Sequence, residues 1–324
     1  MKFKQITENL EVIALEAKRS NRNWLFTAVD MFANFAKYHV YPLEYYYFGF
    51  YKKSKDSKKT YFTYKDRKRM IQKINNAKYL NCLDDKYLFS KIFSDLYGRR
   101  ALRTDTMTEE ELTELVGACD KIIYKPLAAS KGKGIEVIDV VGDNSLRELY
   151  SKLSAYPVGI LESWICQSDE MNELYSDSVC CIRIVTVNYE NKVSVTGATL
   201  TVGSKKSRIA NADSGGLFAL VDETTGKVLS DYISYDGFIQ FPVHPDTEKP
   251  IKGYQIPEWD QVVALVKKAA RRLPQMGYIS WDVSLTKDGP VLIEGNANGG
   301  YRGYQLKGVA PGDVGTRHKY EQYL

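Results

Sequence analysis

The chain has 324 residues, 44% of them hydrophobic and 26% charged, with a net charge of +5. That length allows two or three domains with a sizeable core, and the composition is that of an ordinary globular protein rather than a disordered or fibrous one. No apolar run reaches membrane-spanning length, and the segment "MKFKQITENLEVIALEAKRSNRNW" is too charged to serve as a secretory leader. The expectation is a cytoplasmic protein without a transmembrane segment. Five cysteines (Cys82, Cys119, Cys166, Cys180, Cys181) form no C-x-x-C pair, and three scattered histidines give no zinc or Ser-His-Asp frame.

Residues 1 to about 105 read as a helical and irregular region with a dense tyrosine cluster, "YHVYPLEYYYFGFY" (38–51), expected to be packing. The basic stretch "YKKSKDSKKTYFTYKDRKRM" (51–70) reads as a solvated face, not a nucleic-acid site. In "LDDKYLFSKIFSDLYG" (83–98), Leu88, Ile92, Phe93 and Leu96 fall at helical spacing, with Asp84 or Asp85 to cap the start and Gly98 to end it. Thr108 and Glu111 have the spacing of a capping box.

Alternation then replaces helical periodicity. "KIIYKPL" (121–127), "IEVIDV" (135–140) and "GILESWI" (159–165) read as strands, with "AASKGKG" (128–134) as a loop between the first two. A helix is expected at about 144–154, a hairpin over 179–202, and strands either side of "ETTG" (223–226). A helix over 259–273 precedes a last hairpin, "YISWDVSLT" and "PVLIEGN" around "KDG".

That hairpin carries the clearest chemical signal. Residues i and i+2 of a strand share a face, so Glu294 and Asn296 project together. If Leu285 lies opposite Val291 across a five-residue loop, Asp282 lies opposite Glu294 and joins them. Adjacent carboxylates repel unless a cation sits between them, and few carboxylates with the remaining positions left to phosphates suit Mg²⁺. The search then turns to a nucleotide. No Walker loop occurs, but "SKGKG" sets two lysines and two glycines between strands, where backbone N–H groups and ammonium charge can meet an anion.

Together "YKPLAASKGKGIEVID", "ILESWICQ", "CIRIVTV", "SRIANADSGG" and "WDVSLTKDGPVLIEGN" resemble, in order, the ATP-grasp superfamily. The chain is most similar to the sugar-transfer-associated ATP-grasp proteins, and "SRIANADSGG" is also similar to glutamate-adding ATP-grasp ligases. The resemblance covers roughly residues 80–305. It implies an α+β fold of two lobes clasping a nucleotide, after the helical tyrosine-rich region. The implied boundaries are 1–105, then 106–165 for the N-terminal lobe and 166–324 for the C-terminal lobe with its metal site.

The resemblance also assigns roles. Lys86 and Lys125 match the nucleotide lysines; Ser130, Lys131, Gly132, Lys133 and Gly134 match the loop over the phosphates. Glu162, Ser163, Trp164 and Ile165 match the segment beside adenine. Asp282, Glu294 and Asn296 match the magnesium ligands, for which manganese is an alternative. Arg183 and Arg208 match arginines facing the transferred phosphate and the acceptor. Asn211, Asn298, Gly299 and Arg302 are substrate-binding candidates. Two departures stand out: Ser280 occupies the place of an arginine found in D-alanine-type ligases, and Cys180 and Cys181 precede Arg183, where small polar residues are expected.

The implied activity is an ADP-forming carboxylate–amine ligase using ATP and Mg²⁺ through an acylphosphate. Its partners would be a small-molecule or glycan-linked carboxylate and an amine, on a cell-surface polysaccharide precursor. The alternatives are an ATP-grasp kinase acting on a sugar or other small acceptor, and a non-catalytic nucleotide-binding protein. The sequence names neither the acceptor nor the oligomeric state.

Overall fold

The computed structural model describes residues 2–127, 134–140, 146–205, 215–235 and 239–324, with side chains from residue 7 onward. By packing, the chain divides into one unit of residues 1–75 and 300–324 and a second of residues 76–299.

The first unit is built from the helices Lys2–Ser20, Trp24–Tyr38, Pro42–Phe48, Lys55–Lys59 and Tyr64–Ile74, joined by single 3₁₀ turns from the C-terminal segment. Its tyrosine cluster is packing, in part. Tyr45, Phe48, Phe50, Tyr61 and Phe62 are fully buried, and Phe62 stacks on Tyr320 with centroids 4.1 Å apart. Glu44 and Gln305, buried with these rings, are paired. The Glu44 carboxylate accepts from the Tyr41 and Tyr64 amides (2.9 and 2.7 Å) and from the Tyr301 hydroxyl (2.8 Å). Gln305 donates to the Phe62 carbonyl (2.6 Å) and accepts from the Phe62 amide (3.1 Å).

The second unit holds two antiparallel sheets. Strands β1 (Ala101–Arg103), β2 (Lys121–Pro126), β3 (Glu136–Asp139) and β4 (Gly159–Ser163) pair in the order β1-β4-β2-β3. The helices Glu109–Gly117 and Leu146–Ser154 supply Leu112, Leu115 and Leu153 to a core with Ile122, Tyr124, Ile138 and Leu161. The first of these helices starts on the expected capping box: the Glu111 amide donates to Thr108 Oγ1 (3.1 Å) and the Thr108 amide to Glu111 Oε2 (2.9 Å).

Strands β5 (Cys181–Tyr189), β6 (Lys192–Val202), β7 (Leu217–Val221), β8 (Tyr232–Ser234), β9 (Gln240–Phe241), β10 (Tyr278–Thr286) and β11 (Gly289–Asn296) form the larger sheet, ordered β11-β10-β5-β6-β7-β8-β9. Period-2 alternation divides its faces. Ile182, Ile184, Ala198, Leu200, Trp281, Val283 and Leu285 join Val262, Val266 and Ala269 of the helix Trp259–Arg272 in one core. The intervening residues, Arg183, Thr199, Thr201, Ser280, Asp282 and Ser284, take the other face.

The helix expected over 83–98 is broken into Asn81–Asp84, Lys86–Ile92 and Ser94–Tyr97. Asp85 caps the middle piece, accepting from the Tyr87 and Leu88 amides, both at 2.9 Å. Gly98 ends the last with φ +63°, and a Cβ there would lie 2.3 Å from Val291 Cγ1. Left-handed backbone and the close approach of β11 both select glycine. The interruption turns Tyr97 and Arg99 inward.

Candidate active site

The last hairpin is tighter than the sequence reading assumed. Thr286 pairs with Gly289, so the loop is the two residues Lys287 and Asp288, and Leu285 faces Pro290 rather than Val291. Carried on without interruption, that register would set Ile293 against Asp282. A bulge between Asp282 and Val283 absorbs Ile293, and Asp282 faces Glu294, with Ser280 against Asn296. Asn296 Nδ2 donates to Glu294 Oε1 (3.1 Å). Burial raises the Glu294 carboxyl above its ordinary value, and the Asp282 charge raises it further; Asn296, Lys125 and Arg183 act the other way. On the next strand Arg183 pairs with Asp282 and grips it with both arms, Nε to Oδ1 and Nη2 to Oδ2, each 2.7 Å.

A second cluster ties the small sheet to this hairpin. Glu162 of β4, 1% exposed, accepts from the Tyr97 hydroxyl (2.5 Å), Arg99 Nε (2.8 Å) and Lys125 Nζ (2.8 Å). Burial alone would raise the Glu162 carboxyl; the Arg99 and Lys125 charges overcome it and hold the group at about 2. Arg99 spends its remaining donors on main-chain carbonyls: Nη1 to Tyr97 (3.0 Å) and Leu292 (2.7 Å), Nη2 to Ile293 (3.3 Å). Its guanidinium carbon also lies 3.5 Å from the Tyr97 ring centroid. Leu292 and Ile293 flank the bulge, so one buried arginine clamps the irregularity that sets Glu294 against Asp282.

Lys86 opens its helix with Nζ 3.4 Å from the Pro126 carbonyl at the end of β2. Gly134 (φ +71°) returns the chain beside the same proline, where a Cβ would sit 2.9 Å from Pro126 Cγ. The intervening candidates Ser130, Lys131, Gly132 and Lys133, and also Arg208 and Asn211, lie outside the described residues. Of the segment 162–165, Glu162 and Ser163 end β4, and the Trp164 amide still reaches the Lys121 carbonyl (3.0 Å). Beyond Ile165 the chain crosses to the large sheet. Gln167 bridges to Thr286, and its side chain donates to the Tyr175 and Ser178 carbonyls (2.8 and 3.2 Å) and accepts from the Cys180 amide (2.7 Å).

Ser280 is buried against Gly299; a Cβ on Gly299 would fall 2.1 Å from Ser280 Cβ. That contact selects glycine at 299 while Ser280 stays where it is. Asn298 is exposed, while Arg302 belongs to the first unit, its guanidinium 5.7 Å from the Tyr301 ring centroid. Cys180 and Cys181 are buried, and Cys180 Sγ donates to the Met171 carbonyl (3.6 Å).

The sequence reading missed Tyr97, Arg99, Gln167 and Tyr235. The Tyr235 hydroxyl lies 3.2 Å from Thr201 Oγ1, and its phenol is raised by burial and drawn back by the Arg183 charge. A cation directly after Gly98 was the only signal for Arg99, and it resembled a surface charge.

Two opposed carboxylates, an amide oxygen and flanking cations fit a divalent ion that keeps positions for phosphate oxygens. Among the described residues no group of three or more His, Cys, Asp or Glu forms a self-contained metal site.

No curated protein matches the chain. Among solved structures it is similar to the N5-carboxyaminoimidazole ribonucleotide synthetase purK in complex with ADP, at 13% identity over 68% of this chain and 46% of that one (TM-score 0.42). It is similar to the ATP-grasp ligase PsnB with a minimal precursor, at 15% identity over 77% and 62% (TM-score 0.46). A third is carboxyaminoimidazole ribonucleotide synthase from Aspergillus clavatus with ATP, at 10% identity over 69% and 47% (TM-score 0.41). The chain thus spans between 46% and 62% of the length of these structures. The profile of the sugar-transfer associated ATP-grasp family matches residues 65–311, most of the chain, and the protein therefore belongs to that family.

Proposed function

We propose that this protein is an ATP- and Mg²⁺-dependent ligase that joins a carboxylate to an amine through an acylphosphate, releasing ADP. The observation that carries the reading is the face shared by Asp282, Glu294 and Asn296, with the Arg183 and Lys125 charges acting on it. Family membership supports the use of ATP.

A carboxylate is a poor electrophile, and transfer of the terminal phosphoryl group gives it a good leaving group that an amine can displace. Asp282, Glu294 and Asn296 would hold magnesium, which when bound offsets charge on the phosphates. Lys86 and Lys125 would bind phosphate oxygens, with Ser130–Gly134 closing over them. Lys125 is held in place by the Glu162 carboxylate, which stays ionised. The segment Glu162–Ile165 would lie beside adenine. Arg183, already among the acids, would turn a guanidinium arm to the transferred phosphoryl group and to the oxyanion formed when the amine attacks. Arg208, Asn211, Asn298 and Gly299 would contact the acceptor. A glycan-linked carboxylate is the acceptor class that family membership favours.

Calorimetric titration of ATP with Mg²⁺ tests the site. Wild type should bind only with the metal present, and Glu294→Gln and Asn296→Ala should weaken binding while remaining folded. An acceptor screen then reads ADP release. A requirement for both carboxylate and amine, with a hydroxamate formed when hydroxylamine replaces the amine, supports ligation. A stable phosphorylated product from a single acceptor assigns a kinase instead. Folded protein that binds no ATP overturns the reading.

A further inference from the structure

The helix Trp24–Tyr38 in the first unit is inside out. Its buried positions are Thr27, Met31 and Asn34. Two of these are polar and are satisfied locally, Thr27 Oγ1 donating to the Asn23 carbonyl (3.0 Å) and Asn34 Nδ2 to the Asp30 carbonyl (2.8 Å). The opposite face carries Leu25, Phe26, Val29 and Phe32, exposed by 65, 71, 60 and 72%. Ala33 and Ala36 are also exposed. Positions 25, 29, 32 and 36 fall on one stripe at helical period. This exposed stripe, with Phe26 beside it, marks a surface that something covers.

The charge beside it identifies the occupant. Residues 51–70 hold nine basic and two acidic residues. Lys58 from this segment lies among Arg22, Asp30 and Lys37: burial lowers its ammonium, Asp30 opposes, and the two cations lower it further. Lys59 lies near Tyr38 and carries its own partner, Asp56 (2.9 Å). Nearby acids are engaged internally, Glu16 by Arg19, and Asp30 by Arg22 and the Tyr45 hydroxyl. A second copy would bring cations against cations, whereas an anionic bilayer brings phosphates to the cations and acyl chains to the rings. An apolar face with a basic flank is the pattern of a helix lying in the plane of a membrane interface. Among the described residues no helix is long and apolar enough to cross a membrane.

We propose that the helix Trp24–Tyr38 docks flat on an anionic phospholipid surface, with Leu25, Phe26, Val29 and Phe32 at the acyl boundary and Lys37, Lys58 and Lys59 against the head groups. The proposal does not depend on the ligase reading. The test is co-sedimentation of the full chain with vesicles of phosphatidylcholine alone and of phosphatidylcholine mixed with phosphatidylglycerol. Binding is expected to the mixed vesicles, weakened by salt. Phe26→Ser and Phe32→Ser should each lower partitioning by about tenfold. Lys37→Gln and Lys59→Gln should each lower it by roughly fivefold. Circular dichroism checks that these exposed variants stay folded. Absence of binding by folded wild type overturns the proposal, as does equal binding by the Phe variants. A dimer dispersed by Phe32→Ser, in a protein that ignores vesicles, would give the face to a second copy.

Discussion

Replacing Arg99 by methionine should destabilise the unit of residues 76–299 far more than loss of a surface charge. The guanidinium makes four hydrogen bonds, one to Glu162 and three to the Tyr97, Leu292 and Ile293 carbonyls. Methionine fills similar space and makes none of them. The Glu162 carboxylate would keep only Lys125 and Tyr97, and two carbonyls at the bulge would lose their donor. Breaking a buried ion pair by removing one partner costs about 3–5 kcal/mol, a large share of the roughly 5–15 kcal/mol that holds a domain folded. Urea unfolding read through Trp164, Trp259 and Trp281, all in this unit, measures the loss as a shift in midpoint at constant slope. Adding Glu162→Met removes the stranded charge, so the double variant should be more stable than Arg99→Met alone, with a coupling energy above about 1 kcal/mol. A cost below about 1 kcal/mol for Arg99→Met, or strictly additive singles, would refute the assignment of this arginine as the clamp of the bulge.

Acid should weaken the same cluster. The Glu162 carboxyl, ordinarily at 4.5, is raised by burial but brought to about 2 by its cationic partners. Its stabilisation is therefore complete above pH 4.5 and is lost as pH falls from there through about 2, by on the order of 3 kcal/mol; Glu162→Gln should flatten the pH profile of unfolding over that range. Gly299→Ala should cost about 1–3 kcal/mol by driving a methyl into Ser280, and Ser280→Gly should recover part of the loss in thermal unfolding. Gln167→Leu removes the buried acceptor of the Cys180 amide and a donor to the Ser178 and Tyr175 carbonyls, and should lower stability by about 2 kcal/mol or more. A thiol reagent should modify exposed Cys166 in the native protein and reach Cys180 and Cys181 only on unfolding, since both are buried and burial raises both thiols.

Near-neighbour features were legible in the sequence. The Thr108–Glu111 box, the Asp85 cap, the Gly98 stop and the alternation of the strands all depend on residues within a few positions of one another. The shared face of Glu294 and Asn296 follows from strand period alone, and the ordered motifs were sufficient to name the family. Tertiary structure decided the rest. A two-residue turn by itself sets Ile293 against Asp282, and only the bulge held by Arg99 brings Glu294 there; the arginine and the carbonyls it clamps are 193 and 194 residues apart in the chain. The N-terminal region reads only as helical and irregular; the bounds of the helix Trp24–Tyr38 and its covered face come from packing, because Leu25, Phe26, Val29 and Phe32 look like core until packing leaves them outside. The return of residues 300–324 to the N-terminal helices is likewise invisible to local pattern. Caps and strand period are legible because those energies are local; the length of the last turn, bulge register, ion clusters and the choice of buried face depend on partners that only the folded chain brings together.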